Sequence, residues 1–325
     1  MNENKKIIPI VFAMDGNFVP FLSVSVMSIL DNSSKNYYYK FYVLHDSLSN
    51  DVLENAKIFN TEYSDITFIN VLEEIKEIQD LICVRDNYTR AIYYRFFIPK
   101  LLPNFDKVIY LDCDTCVVGD ISKLYNAELN GKTIGAVCDE VVMGSKIFLD
   151  YTSDYLGIEN GKYFNSGVLL FDVKKFIENS VKDKFVDMLK TITFKVAPDQ
   201  DYLNVLLYND IEYLPLKFNK MPIKNTNFND KELVIIHYNL NFKPWHFNNI
   251  LYQEYFWRYA KQSPYYREIL NVKNNYSEED ILRAKNNYEK LVQYCNESVS
   301  VKEKLVKLRN YYDRIRKKTY HKRAD

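Results

Sequence analysis

Short, continuous runs of apolar residues alternate along the first two thirds of the chain with longer stretches whose apolar residues recur every three or four positions. The short runs predict buried strands and the longer stretches predict helices. Ile7 to Ala13 reads as a first strand, followed by a turn at Asp15-Gly16-Asn17 and an apolar helix from about Val19 to Leu30. Phe41 to His45 is a second strand, Ser49 stands where it can cap a helix carrying Leu53, Ala56 and Phe59, and Ile66 to Ile69 is a third. The order βαβαβ predicts a parallel sheet with right-handed crossovers. A helix through Ala91 to Pro99 precedes the strand Val108-Ile109-Tyr110-Leu111, and Ile134 to Cys138, Val168 to Phe171 and Val234 to His237 read as further buried strands. From about Leu251 to Asp325 the pattern is helical, opening one helix with a capping-box-like Ser277 and Asp280. Residues 1–250 are thus expected to form an α/β domain and residues 251–325 a C-terminal helical extension.

Where the strand Val108 to Leu111 meets the surface, the next residues are Asp112-Cys113-Asp114. Side chains alternate along a strand, which places both carboxylates on one face and Cys113 on the other. Ligands collect at the carboxyl ends of strands in an open α/β sheet, and paired hard oxygens there suit Mn²⁺ or Mg²⁺, ions that hold diphosphate oxygens. Taken alone, the pair also fits two solvated acids opening a loop; as a metal site, Asp112→Ala or Asp114→Ala is expected to abolish metal-dependent activity with little loss of stability, because exposed acids at a strand end contribute little to folding. The first βα turn has no G-x-G-x-x-G and no P-loop signature occurs anywhere, so phosphates must be held in another way. A metal on Asp112 and Asp114, with His237 as third ligand and Lys243 as a mobile positive charge, would do it.

Composition agrees with a globular protein. The 325 residues are 47% hydrophobic, enough for a large core, and no apolar run approaches the ~20 residues of a membrane span. The polar start, Met1 to Lys6, is expected not to be a signal peptide. Five cysteines lack the spacing of a disulfide scaffold, and the lone Cys113-x-x-Cys116 is read as packing thiols, so a cytoplasmic location is expected. The zero net charge hides an asymmetry: Lys302 to Asp325 carries ten basic and three acidic residues, or +7, which leaves −7 on Met1 to Val301. Leu305, Leu308, Tyr312 and Ile315 recur at helical spacing in this tail, the pattern of a helix lying on an anionic membrane on the inner face of the plasma membrane, or of a solvated helix packed on the protein. With the rest of the chain acidic, no nucleic-acid partner is expected.

The set of motifs resembles the family 8 glycosyltransferases, retaining enzymes that use nucleotide-diphosphate sugars, over most of residues 7 to 246. Ile10-Val11-Phe12-Ala13 with Asp15 and Asn17 looks like the family's opening strand and nucleotide turn, which implies that Asp15 and Asn17 contact uracil and ribose. Tyr94-Arg95 lies seventeen residues before Asp112, as in the family, and Arg95 would contact the donor sugar or diphosphate. Asp139 stands in the position of an acid near the transferred sugar. Tyr163 to Leu170 resembles the sugar-binding block, with Asn165 as its polar contact. Asp199, Gln200 and Asp201 resemble the block below the anomeric carbon, and His237-Tyr238 with Lys243-Pro244-Trp245-His246 matches the metal histidine and the phosphate lysine. One departure stands out: related galactosyltransferases tend to carry a glycine between that histidine and lysine, and Asn239-Leu240-Asn241-Phe242 has none.

The resemblance implies a Rossmann-like, mixed, mostly parallel sheet of the GT-A type. It also implies a metal-dependent, retaining transfer of galactose or glucose from a UDP-sugar to a saccharide or lipid-linked saccharide acceptor, as in bacterial lipopolysaccharide synthesis. Cleaving the sugar–diphosphate bond builds negative charge on the leaving oxygen and positive charge on the ring. The metal and Lys243 would meet the first, Asp139 and Asp199 would hold sugar hydroxyls, and Gln200, a poor nucleophile, favours front-face attack. A metal-dependent nucleotide-sugar phosphohydrolase and a non-catalytic sugar-nucleotide-binding subunit are the alternatives.

Overall fold

The computed structural model describes residues 5–84 and 89–300. The central strands of its main sheet are apolar runs buried on both faces. β1 (Lys6–Ala13) is buried from Ile8 to Phe12, and it pairs in parallel with β2 (Tyr37–His45), which pairs in parallel with β3 (Ser64–Asn70). The chain then returns to the other side of β1 with β4 (Lys107–Leu111), Ile10 lying opposite Ile109. The junction of β1 and β4 is therefore a topological switch point, where the loops after the two strands diverge and leave a crevice. β6 (Ile134–Cys138), β7 (Phe164–Asp172) and β8 (Ile211–Tyr213) complete seven strands in the order β3-β2-β1-β4-β7-β6-β8, with β7 antiparallel to both its neighbours. The sheet is mixed and mostly parallel, and helices cover both faces, burying two large apolar clusters.

A small ribbon lies outside this sheet. β5 (Thr115–Val117) pairs antiparallel with β9 (Ile235–His237), setting Thr115 opposite His237. The apolar run Val234 to His237 is thus a strand, but its partner is this three-residue segment and not the main sheet. β5 and β8 are too short to leave a periodic signal in the sequence.

Two local expectations change. Arg90–Phe97 is a 3₁₀-helix followed by a single α-helical turn, Ile98–Leu101, where one continuous helix was expected. Pro99 explains the break: it has no N–H to donate to the carbonyl four residues back. Ser49 occupies the N-cap position of the helix Asn50–Asn55 but makes no side-chain cap bond. The reciprocal cap at the last described helix, Glu278–Ser300, does form: the Asp280 N–H donates to Ser277 Oγ at 3.2 Å, and the Ser277 N–H donates to the Asp280 carboxylate at 2.9 Å.

The helices Gln253–Ala260 and Tyr266–Asn275 pack on the first long helix, Val19–Asn32. They share a third cluster with Phe21 and Trp245, whose rings stack at 4.1 Å. All five cysteines are free, and Cys113 and Cys116 are buried in two different clusters, as packing thiols are. No helix among the described residues is long and apolar enough to cross a membrane. The basic segment 302–325, and with it the membrane-facing reading, lies outside the described residues.

Candidate active site

β4 delivers Asp112 and Asp114 to the switch point, and the β5–β9 ribbon delivers His237. The link is direct: the Tyr238 N–H donates to the Asp114 carbonyl at 2.9 Å as the ribbon closes. One donor atom from each of Asp112, Asp114 and His237 lies within 4.8 Å of the others. His237 Nδ1 is 3.0 Å from Asn219 Oδ1, an acceptor, so the ring carries its proton on Nδ1 and aims the Nε2 lone pair inward. Nε2 lies 3.2 Å from Asp114 Oδ1, and both atoms are buried without a hydrogen-bond partner. Two facing lone pairs in a buried site are costly unless a cation lies between them. Gly167 completes the cradle: a Cβ there would fall 2.2 Å from His237 Cε1 and 2.6 Å from Asp112 Oδ2. Two carboxylates and an imidazole are hard and borderline donors that fit Mn²⁺ or Mg²⁺.

The acids are far from the solvated pair that the sequence alone allows. Asp114 accepts a charge-assisted bond from Lys243, which also donates to the Tyr238 carbonyl at 3.2 Å. Burial pushes the Asp114 carboxyl up, but the Lys243 ammonium bonded to it opposes this and holds the group well below the usual carboxylate range. Asp112 accepts from Arg95 at 3.0 Å and from the Tyr110 hydroxyl at 2.6 Å. Arg95 is 2% exposed, with its guanidinium over the Tyr110 ring, and its second arm reaches Asp199 at 3.1 Å and the Ser166 carbonyl at 2.6 Å.

A β-bulge shapes the neighbouring wall. The register between β6 and β7 jumps from Ala136 opposite Leu169 to Val137 opposite Asn165, freeing Ser166 to Val168 from β6. Gly167 can then press against the acids, its carbonyl accepting from the Asp112 N–H at 2.8 Å. Asn165 and Gln200 donate to Asp139 Oδ2 at 3.0 and 3.1 Å, while Asp139 Oδ1 caps the following helical turn at Val141 and Val142. Gln200 Oε1 in turn accepts from the Ser166 N–H at 2.9 Å. Burial pushes the Asp199 carboxyl up, opposed by Arg95.

These groups line one cavity of about 250 Å³, together with Asp15 and the segment Asn239 to Asn241. Of the residues singled out from the sequence, Asp15, Arg95, Asp112, Asp114, Asp139, Asn165, Asp199, Gln200, His237 and Lys243 meet there. Two do not. Asn17 is exposed and off the cavity wall, its N–H donating to Asp15 Oδ1 at 3.0 Å. Asp201 is fully buried behind the wall, accepting from Tyr163 at 2.7 Å, Tyr151 at 2.8 Å and the Ala197 N–H at 3.1 Å. The glycine-free loop adopts a left-handed conformation at Leu240 (φ +47°), the geometry a glycine takes without cost.

Asn219 was not legible in the sequence, because nothing local marks a lone asparagine before a buried lysine. It bridges the site: Oδ1 orients His237, and Nδ2 donates to Asn165 Oδ1 at 3.0 Å. Asn219→Leu should weaken metal binding about 10- to 100-fold; unchanged affinity in a Mn²⁺ titration would leave the residue a packing role only.

Asp201 carries a separate expectation. Burial pushes its carboxyl up to about 7 against the opposing bonds from Tyr163 and Tyr151, with the nearby Asp199 adding to the rise. The folded form thus binds the proton more tightly than the unfolded chain, whose aspartate titrates near ~3.9. The stabilisation from this group is complete below that value and is lost as pH rises through about 7, at most about 4 kcal/mol. Asp201→Asn should flatten this dependence. Urea unfolding at pH 5 and pH 8 checks it, and equal pH slopes for the two proteins would refute it.

The chain belongs to glycosyl transferase family 8, whose model matches residues 9–249. It is 32% identical over 252 residues to a lipopolysaccharide 1,2-glucosyltransferase of Escherichia coli K12, covering 73% of this chain and 72% of that one. It is 27% identical to a lipopolysaccharide 1,3-galactosyltransferase of Salmonella typhimurium LT2, covering 73% and 72%. Among solved structures, the galactosyltransferase LgtC in complex with donor and acceptor sugar analogs superposes with a TM-score of 0.63 at 24% identity, covering 79% of this chain and 96% of that one. The bifunctional glycosyltransferase WbbM gives 0.72 at 23% identity over 83% of this chain, which spans about half, 52%, of WbbM. The sheet, with its flanking helices and C-terminal helices, is accordingly of the GT-A type.

Proposed function

We propose that the protein is a retaining hexosyltransferase that moves galactose or glucose from a UDP-sugar to a glycan or glycolipid acceptor in bacterial lipopolysaccharide or related cell-surface synthesis. The observation that carries this reading is the pair of orphaned atoms, Asp114 Oδ1 and His237 Nε2, facing each other beside Asp112 at the switch point. Asp112, Asp114 and His237 would hold a Mn²⁺ or Mg²⁺ ion, which would neutralise charge on the diphosphate. Lys243 is placed to trade Asp114 for the diphosphate and to meet the charge that develops on the leaving oxygen. Arg95 holds Asp112 and Asp199 in place, and Asp139, Asn165 and Asp199 face the space for the sugar.

Front-face attack is favoured by what the candidate nucleophiles are already doing. Each oxygen of Asp139 accepts two hydrogen bonds, the Gln200 amide is engaged at both ends, and Asp201 lies behind the wall. The acceptor hydroxyl would then lose its proton to the leaving diphosphate oxygen. A trapped glycosyl adduct on Asp139, Gln200 or Asp201 during turnover would overturn this route. The basic segment 302–325 would add contact with an anionic membrane surface.

The test is UDP release from a panel of UDP-sugars by the purified protein, with Mn²⁺ and with chelator. Metal-dependent release from UDP-galactose or UDP-glucose that rises on adding acceptor supports transfer. Formation of UMP and hexose 1-phosphate, indifferent to acceptors, points to the phosphohydrolase reading, and UDP binding without turnover to the binding-subunit reading.

A further inference from the structure

Among the described residues, the charged side chains that line the cavity all belong to the donor side described above, and a second wall, beginning at the turn capped by Asp139, carries none. That wall is made by Val142 and Phe148 on one side and by one stripe of the last described helix, Glu278–Ser300, on the other. Ala284, Asn287, Tyr288 and Leu291 follow the i, i+3, i+4, i+7 spacing of a single helix face. The same stripe continues into Cys295 and Ser298, which are buried against the protein. Its far half is therefore anchored in the core, while its near half faces the cavity. Tyr288 stays 38% exposed, with its ring edge-on to Phe148 at 6.1 Å.

Resting on the transferase reading, we propose that this wall is the acceptor subsite and that it takes an electrically neutral sugar. It adjoins Asp139, beside the space for the donor sugar, so a group bound there can present a hydroxyl to the bond being broken. Tyr288 and Phe148 offer aromatic surface for the C–H face of a pyranose ring, and Asn287 offers a donor and an acceptor for a hydroxyl. A carboxylate or phosphate on the acceptor would lose its hydration against this wall with no cation among the described residues to compensate. The helix beyond residue 250 thus contributes to substrate selection.

The experiment measures UDP release by the full chain with Mn²⁺ and its preferred UDP-hexose, alone and with matched methyl hexosides or methyl hexuronides. Methyl hexosides are expected to stimulate release at concentrations at least about tenfold below those at which the hexuronides act. Tyr288→Ala should lower the ratio of stimulated to unstimulated release about tenfold, and Asn287→Arg should raise the response to hexuronides. Hexuronides as effective as hexosides, no hexoside that stimulates, or an unchanged ratio in Tyr288→Ala would each overturn the proposal. Absence of UDP release under every condition would instead remove the transferase reading itself, and this inference with it.

Discussion

Asp114→Ala is expected to reduce metal-dependent UDP release by about a thousandfold or more and also to destabilise the fold. The catalytic loss follows from removing a proposed metal ligand whose Oδ1 faces His237 Nε2 at 3.2 Å. The stability loss follows from what remains. Lys243, buried to 8% exposure and bonded to Asp114, would be left with the Tyr238 carbonyl and the face of the Trp245 ring. Removing one member of a buried pair typically costs about 3–5 kcal/mol. This reverses the view that acids at a strand end contribute little to folding. Adding Lys243→Met should restore much of the stability but none of the release, because the stranded charge goes while the ligand stays missing. Urea unfolding and Mn²⁺-dependent release on the two variants check both halves. A single variant as stable as wild type would show that the pair is solvated in solution.

Gly167→Ala is expected to be nearly as damaging for a purely steric reason. The added methyl would sit 2.2 Å from His237 Cε1, 2.6 Å from Asp112 Oδ2 and 2.9 Å from His237 Nδ1. Neither neighbour is free to yield, since Asn219 holds the ring and Arg95 and Tyr110 hold the carboxylate. One of the two must leave the metal position, so Mn²⁺ affinity should fall at least about 100-fold, beyond the usual effect of losing an outer partner. Release should fall with it. The backbone at Gly167 has no left-handed φ to protect, so the loss should appear in metal titration more than in a distorted strand. Wild-type Mn²⁺ affinity in a folded Gly167→Ala protein would remove the close approach from the account.

Much of the site was legible because its members lie in local patterns. Asp112 and Asp114 follow an apolar strand, and His237 ends another, so their type and spacing announce a site before any contact is known. Arg95 was legible as a candidate but not in its role. Only the reach of its side chain from a buried 3₁₀-helix turns it into a clamp between Asp112 and Asp199. Asp201 shows the converse: in sequence it is indistinguishable from its neighbours Asp199 and Gln200, yet successive helical positions point about 100° apart, and its turn of Pro198–Leu207 faces Tyr151 and Tyr163 behind the wall.

The α/β alternation, the candidate metal and phosphate residues, and the family were all set by the order of residues along the chain. Each of these resides in short-range periodicity or in motifs read a few residues at a time. Long-range packing decided that β9 leaves the main sheet to pair with β5, that a bulge lets Gly167 press on the acids, that Asn219 orients His237, and that one stripe of the last helix closes the cavity. Those outcomes depend on contacts between residues far apart in the chain, such as Phe148 with Tyr288 and Asn219 with Asn165, and no local pattern encodes which distant partner a side chain will meet.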